Sequence, residues 1–122
     1  MHFNLLWIRF VLLLVLNKRE RTRRARRSRH NTHLKQAYGI TILDYDKMFA
    51  AQDGGCAICG GGTTKRFLAV DHNHKNGRVR GLLCGSCNSG LARFRDSIEN
   101  LTMAVQYMKD DGETVRRILD AT

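Results

Sequence analysis

Four cysteines stand in two pairs, Cys56-x2-Cys59 and Cys84-x2-Cys87, separated by 24 residues. Two thiolates three positions apart on a tight turn reach one ion, and two such turns complete a tetrahedron. That pattern points to zinc. Glycines crowd both pairs: Gly54, Gly55, Gly60, Gly61 and Gly62 around the first, Gly85 inside the second. Four sulfur ligands leave no open coordination position, so such an ion is structural. The competing reading is two disulfides of a secreted domain, with three pairings. Redox chemistry at one C-x-x-C would leave the other pair unexplained.

Between the pairs lies Ala69-Val70-Asp71-His72-Asn73-His74. If the helix after Cys87 packs across a hairpin here, Asp71 and Asn88 offer one carboxylate and one amide oxygen. Both are hard donors suited to Mg²⁺. His72 beside them has the side chain of a general base. The same residues also suit turns and caps with no chemistry at all. Histidine as an alternative zinc ligand is weakened because four cysteines already suffice.

These groups must be carried by short elements. The 122 residues, 43% hydrophobic, allow one small domain and a tail. A stretch of about 90 residues in short elements makes a thin core, for which a metal is a common support. Residues 18–38 hold neither Gly nor Pro and are rich in good helix formers, so they read as a basic helix ended by Gly39. Thr41 caps a second helix with Asp44 in its first turn. Ile42, Tyr45, Met48 and Phe49 share one face of it, and Asp53-Gly54-Gly55 stops it. Residues 67–72 read as a strand, 73–77 as a turn and 78–83 as the returning strand. A short helix is expected over residues 88–95. Asp96 or Ser97 caps another through Lys109, with Ile98, Leu101, Val105 and Met108 on one face, and residues 113–119 close with a last turn or two. The fold class expected is α+β.

The formal net charge of +10 makes an acidic partner the first expectation, nucleic acid ahead of an anionic membrane. Residues 18–30 carry eight of the basic side chains against the single acid Glu20. Residues 31–122 hold 12 Lys+Arg and 10 Asp+Glu, so the basicity belongs to an arm. Arg23, Arg24, Arg26 and Arg27 are its candidate nucleic-acid contacts, joined on the returning strand by Arg78 and Arg80. Ahead of the arm, residues 3–16 are apolar except for Asn4 and Arg9. As a helix they would rise about 21 Å, short of a hydrocarbon core of about 30 Å, so no stable membrane span is expected. No cleavage motif follows, so a secreted protein is not expected either. The stretch reads as a membrane-surface segment, a docked helix, or sequence translated upstream of the true start. The organisation expected is an apolar extension over residues 1–17, a basic arm over 18–37, a zinc-containing domain over 38–110 and a helical tail over 111–122.

Residues 38–107 resemble the recombination endonuclease VII family of phage and bacterial genomes, within the HNH or His-Me finger nucleases. The resemblance is carried by Tyr38-Gly39-Ile40-Thr41, Cys56-Ala57-Ile58-Cys59-Gly60, Leu68-Ala69-Val70-Asp71-His72-Asn73-His74, Gly77-Arg78-Val79-Arg80-Gly81-Leu82-Leu83-Cys84 and Cys87-Asn88. It implies a zinc-stapled ββα-metal core acting as an endodeoxyribonuclease in the cytoplasm of a bacterial or phage-infected cell. It further implies that Cys56, Cys59, Cys84 and Cys87 hold zinc, and that Asp71 and Asn88 bind a catalytic Mg²⁺ for which Mn²⁺ can substitute. His72 would be the general base, and His74 would orient the site or a phosphate. DNA is the implied partner, branched or recombination-intermediate DNA the implied substrate, and a homodimer is left open. One position departs from the best-known phage member: Leu91 stands where that protein has a Glu three residues after the Asn. The rival from another class is a non-catalytic, zinc-stabilised DNA-binding module with the same arm. A more distant rival is a basic protein attached to membranes through residues 3–16.

Overall fold

The computed structural model describes residues 5–62 and 67–121. Among the described residues, five helices and one hairpin follow in the order α1 (Leu5–Tyr38), α2 (Ile42–Ala51), β1 (Ala69–His72), β2 (Val79–Leu83), α3 (Gly85–Arg93), α4 (Ile98–Asp110) and α5 (Glu113–Asp120). The strands pair as a two-stranded sheet, which with the helices makes an α+β fold. The chain divides into two compact units: residues 1–53 with 72–79, and residues 54–71 with 80–122. The boundary therefore falls between Asp71 and His72 on the first strand.

In the first unit, α1 runs without a break through 34 residues, about 51 Å at helical rise. The basic segment expected as a helix is its C-terminal part. The apolar residues before it continue the same helix, because nothing from Leu5 to Asn17 interrupts helical propensity. Leu5, Leu6, Trp7, Phe10 and Leu12 to Leu14 all stay exposed. No described helix is long and apolar enough to cross a membrane. Gly39, at φ 68°, ends α1 in the left-handed region that its missing Cβ permits.

α2 then packs back on α1. Its start is a capping box: the Asp44 N–H donates to Thr41 Oγ1 at 3.2 Å and the Thr41 N–H donates to Asp44 Oδ2 at 2.8 Å. A third first-turn donor, the Ile42 N–H, reaches Asn31 Oδ1 of α1 at 2.8 Å. Leu34 and Tyr45 are the buried apolar side chains of this pair of helices. His30 meets Tyr45 edge to face at 5.1 Å between centroids, and the Arg27 guanidinium forks onto the Asp46 carboxylate.

The second unit buries Cys56, Leu68, Val70, Leu82 and Leu83. The Ala57 N–H donates to the Leu82 carbonyl at 3.0 Å, tying the first cysteine turn to β2. α3 begins three residues before the expected helix because Cys84 itself is the N-cap, its sulfur accepting from the Cys87 N–H at 3.5 Å. Ser97 caps α4, accepting from the Asn100 N–H at 3.1 Å. The expected apolar face of α4 remains largely uncovered, with Ile98, Val105 and Met108 all exposed.

Candidate functional site

The two cysteine turns are built differently and converge. In the first, the Cys56 N–H donates to the Gly61 carbonyl at 2.9 Å and the Gly60 N–H returns to the Cys56 carbonyl at 2.8 Å. A Cβ on Gly55 would stand 2.3 Å from the Gly60 carbonyl oxygen, so only glycine fits there. The second turn is the opening turn of α3, where amide dipoles favour anionic sulfur. All four cysteines are free thiols, and their sulfurs lie within 4.8 Å of one another. A zinc–sulfur bond of about 2.3 Å sets tetrahedral sulfurs about 3.8 Å apart. Cys59 Sγ and Cys84 Sγ are separated by 3.8 Å. The donor set and its spacing fit a tetrahedral thiolate ion.

The thiols are electrostatically unequal. Burial alone would raise the Cys56 thiol, but N–H donors from Cys59, Cys84 and Ile58, with the Cys59 side chain, outweigh it and bring its pKa down to about 6. Sharing protons with Cys84 and Cys59 pushes Cys87 up to about 12. Cys56 is thus the thiol most ready to ionise and Cys87 the one that holds its proton hardest.

Asp71 is 7% exposed, the one buried charged side chain among the described residues. Both of its oxygens are taken by Arg80: Nε to Oδ2 at 2.6 Å and Nη2 to Oδ1 at 2.9 Å. Arg80 Nη2 also reaches Asp96 Oδ1 at 2.8 Å. Arg80, read from sequence as a phosphate contact, is therefore ion-paired within its own unit. Asn88 sits half-buried on α3 directly after Cys87, its N–H bonded to the Cys84 carbonyl at 3.0 Å. Its side-chain amide makes no hydrogen bond to a described residue, so its oxygen is available to a ligand.

In the other unit the rings of His72 and His74 lie 4.6 Å apart. Tyr38, the last residue of α1, lies 5.4 Å from His72, and His33 lies 5.9 Å from Tyr38. His72 is half-buried and His74 exposed. The turn that presents them is fixed by Asn73, whose N–H donates to the Arg78 carbonyl at 2.8 Å and whose Oδ1 accepts from the Lys75 N–H. Arg78 is exposed beside it. On α1, Arg23 and Arg24 pair with Glu20, at 3.7 and 3.0 Å, and Arg27 braces Asp46. Arg26 pairs with no described carboxylate.

Sequence reasoning did not find Tyr38 beside His72 or His33 beside Tyr38, nor Asp96 on Arg80. Tyr38 belongs to a motif quoted for the family resemblance, but its neighbour lies 34 positions on, where no spacing rule reaches. Asp96 was visible only as a choice of helix cap.

Comparison with known proteins identifies the family. The profile of the recombination endonuclease VII family matches residues 31–110. The gene 59 protein of Mycobacterium phage D29 is 44% identical over 80 residues, covering 64% of this chain and 48% of that protein. The gene 59 protein of Mycobacterium phage L5 is 45% identical over 80 residues, covering 63% and 48%. The chain thus spans about half the length of these curated relatives. No solved structure matches it. The profile takes in the C-terminal turns of α1, both cysteine turns, the Asp-His-Asn-His segment and α4, and on that match the chain belongs to the recombination endonuclease VII family.

Proposed function

We propose that the chain is a metal-dependent DNA endonuclease that hydrolyses phosphodiester bonds, with branched recombination intermediates as its substrate class. The observation that carries the reading is the family match across residues 31–110, which includes Asp71, His72, His74 and Asn88 together. Cys56, Cys59, Cys84 and Cys87 would hold a structural zinc whose binding energy is largely folding energy.

Asp71 and Asn88 would hold the catalytic Mg²⁺, with Mn²⁺ as a substitute. Their donor atoms, one buried carboxylate now paired with Arg80 and one amide with no hydrogen-bond partner among the described residues, are the hard oxygens such an ion takes. When bound, Mg²⁺ supplies charge stabilisation for the phosphorane-like transition state and the leaving oxygen. His72 takes the proton of the attacking water, and a half-buried ring braced by Tyr38 and His74 holds one orientation for that transfer. His74, exposed and adjacent, suits a phosphate oxygen. Arg23, Arg24 and Arg26 along α1 would meet backbone phosphates, as would Arg78 at the hairpin. Both arginines are exposed, but the Arg80 guanidinium is already engaged.

The test is cleavage of branched and linear DNA with and without Mg²⁺, beside His72→Ala. Mg²⁺-dependent cutting that His72→Ala abolishes while zinc and DNA binding persist supports the reading. Equal cutting by both proteins removes His72 from the mechanism, and DNA binding with no cutting under any divalent cation moves the chain to the binding-module alternative.

A further inference from the structure

Arg80 is held between two carboxylates, and the second one needs explaining. Asp96 lies in the turn from α3 to α4, where Arg95 and Asp96 take φ values of 59° and 54° in succession. Two adjacent non-glycine residues in the left-handed region are costly, and such strain concentrates at functional positions. Helix capping does not call for Asp96, because Ser97 caps α4. The turn closes α3, with the Asp96 N–H donating to the Leu91 carbonyl at 3.0 Å and the Arg95 N–H to the Ala92 carbonyl at 2.9 Å, and it also brings Asp96 Oδ1 to 2.8 Å from Arg80 Nη2, the same nitrogen that donates to Asp71 at 2.9 Å.

Asp71 is the residue read above as the magnesium ligand, and both of its oxygens are covered by Arg80. A divalent cation must displace that guanidinium. Arg80 is exposed, but releasing Asp71 outright would still forfeit its charge-assisted bonds. Asp96 removes that obstacle, because Arg80 can let go of Asp71 while keeping a charge-assisted bond. We propose that Asp96 is a positioning residue that receives Arg80 when Asp71 turns to a divalent cation, so that Arg80 acts as a latch over the metal position. The proposal rests on the reading of Asp71 as a metal ligand.

The experiment is direct Mn²⁺ binding to the zinc-loaded full chain without DNA, followed by the paramagnetic resonance signal of free Mn²⁺. Asp96→Asn should weaken Mn²⁺ by about tenfold, the scale of one charge-assisted hydrogen bond. Arg80→Gln should tighten it, because the competitor is gone. In the Arg80→Gln background, Asp96→Asn should then change affinity by less than about twofold, a coupling that the double-mutant cycle reads directly. If Asp96 acts only by adding negative charge near the ion, the tenfold loss persists in both backgrounds and the latch is overturned. If Asp71→Asn leaves Mn²⁺ affinity unchanged, the metal reading of Asp71 falls and the latch with it. If Asp71→Asn abolishes binding while the cycle shows no coupling, the latch alone falls. Zinc content and circular dichroism check each variant. Arg80→Lys, which keeps the charge and loses the fork, replaces Arg80→Gln if that protein does not fold, and should also tighten Mn²⁺.

Discussion

A methyl group at position 55 has no room, since its carbon would lie 2.3 Å from the Gly60 carbonyl oxygen and 2.9 Å from the carbon behind it. Gly55→Ala must push the first cysteine turn open, and is expected to cost about 1–3 kcal/mol, the usual range for overpacking. Thermal melts of the zinc-loaded protein check this against Gly62→Ala, whose added carbon meets nothing within 4 Å. Cys84 has two duties, as a sulfur ligand candidate and as the N-cap of α3. Serine preserves the cap oxygen, so Cys84→Ser isolates the metal duty. It should unfold the second unit and release zinc, and an unchanged melting curve would count against a structural ion. His72→Ala should remove cleavage and leave the melting curve and zinc content near those of the parent, because His72 lies outside the four-sulfur cluster.

The packing of α2 on α1 carries a pH dependence through His30. Burial lowers the His30 pKa below its ordinary value, and the nearby charges of His33 and Arg27 lower it further. Between the folded value and the unfolded value of about 6.5, the unfolded chain binds more protons, so stability rises with pH there. The contribution is complete above about 6.5 and is lost as the pH falls through that value. Melting temperatures of the parent and His30→Phe, compared at pH 7.5 and 5.5, should differ in slope, with the phenylalanine protein the flatter. Caps and stops of this kind were legible in the sequence because they are local: Thr41 with Asp44, Gly39 after Tyr38, Ser97 before Ile98. The cysteine spacing was legible for the same reason, since each turn needs only four residues. The unbroken start of α1 was obscured by a change of composition at Asn17 that does not change helical propensity. The ring of Tyr38 against His72 and the reach of Asp96 to Arg80 depend on chain reversals, and no periodicity announces them.

For the whole molecule, the arginines of α1 separate into one that braces α2 and others that pair only within α1 or with no described carboxylate. Arg27 holds Asp46 of α2, so removing it confuses DNA affinity with folding. Changing Arg23, Arg24 and Arg26 to Gln leaves that brace in place. If each meets a phosphate, the log–log salt slope of DNA binding should fall by about 2.7, at about 0.9 per neutralised phosphate. Affinities across a salt series decide it, and an unchanged slope would make the arm a bystander. The convergence of the two cysteine turns also has a kinetic side. A loop from Cys56 to Cys59 closes over four residues, whereas one from Cys59 to Cys84 closes over 26. By chain entropy the longer closure is harder by roughly 1.7 kcal/mol. A zinc ion held by this cluster would therefore be captured by one turn as a two-coordinate clip before the other arrives, and at about 5–20 residues per second of synthesis the first turn would wait a second or more for its partner. Stopped-flow refolding rates should then climb with zinc concentration and level off once the clip is always loaded.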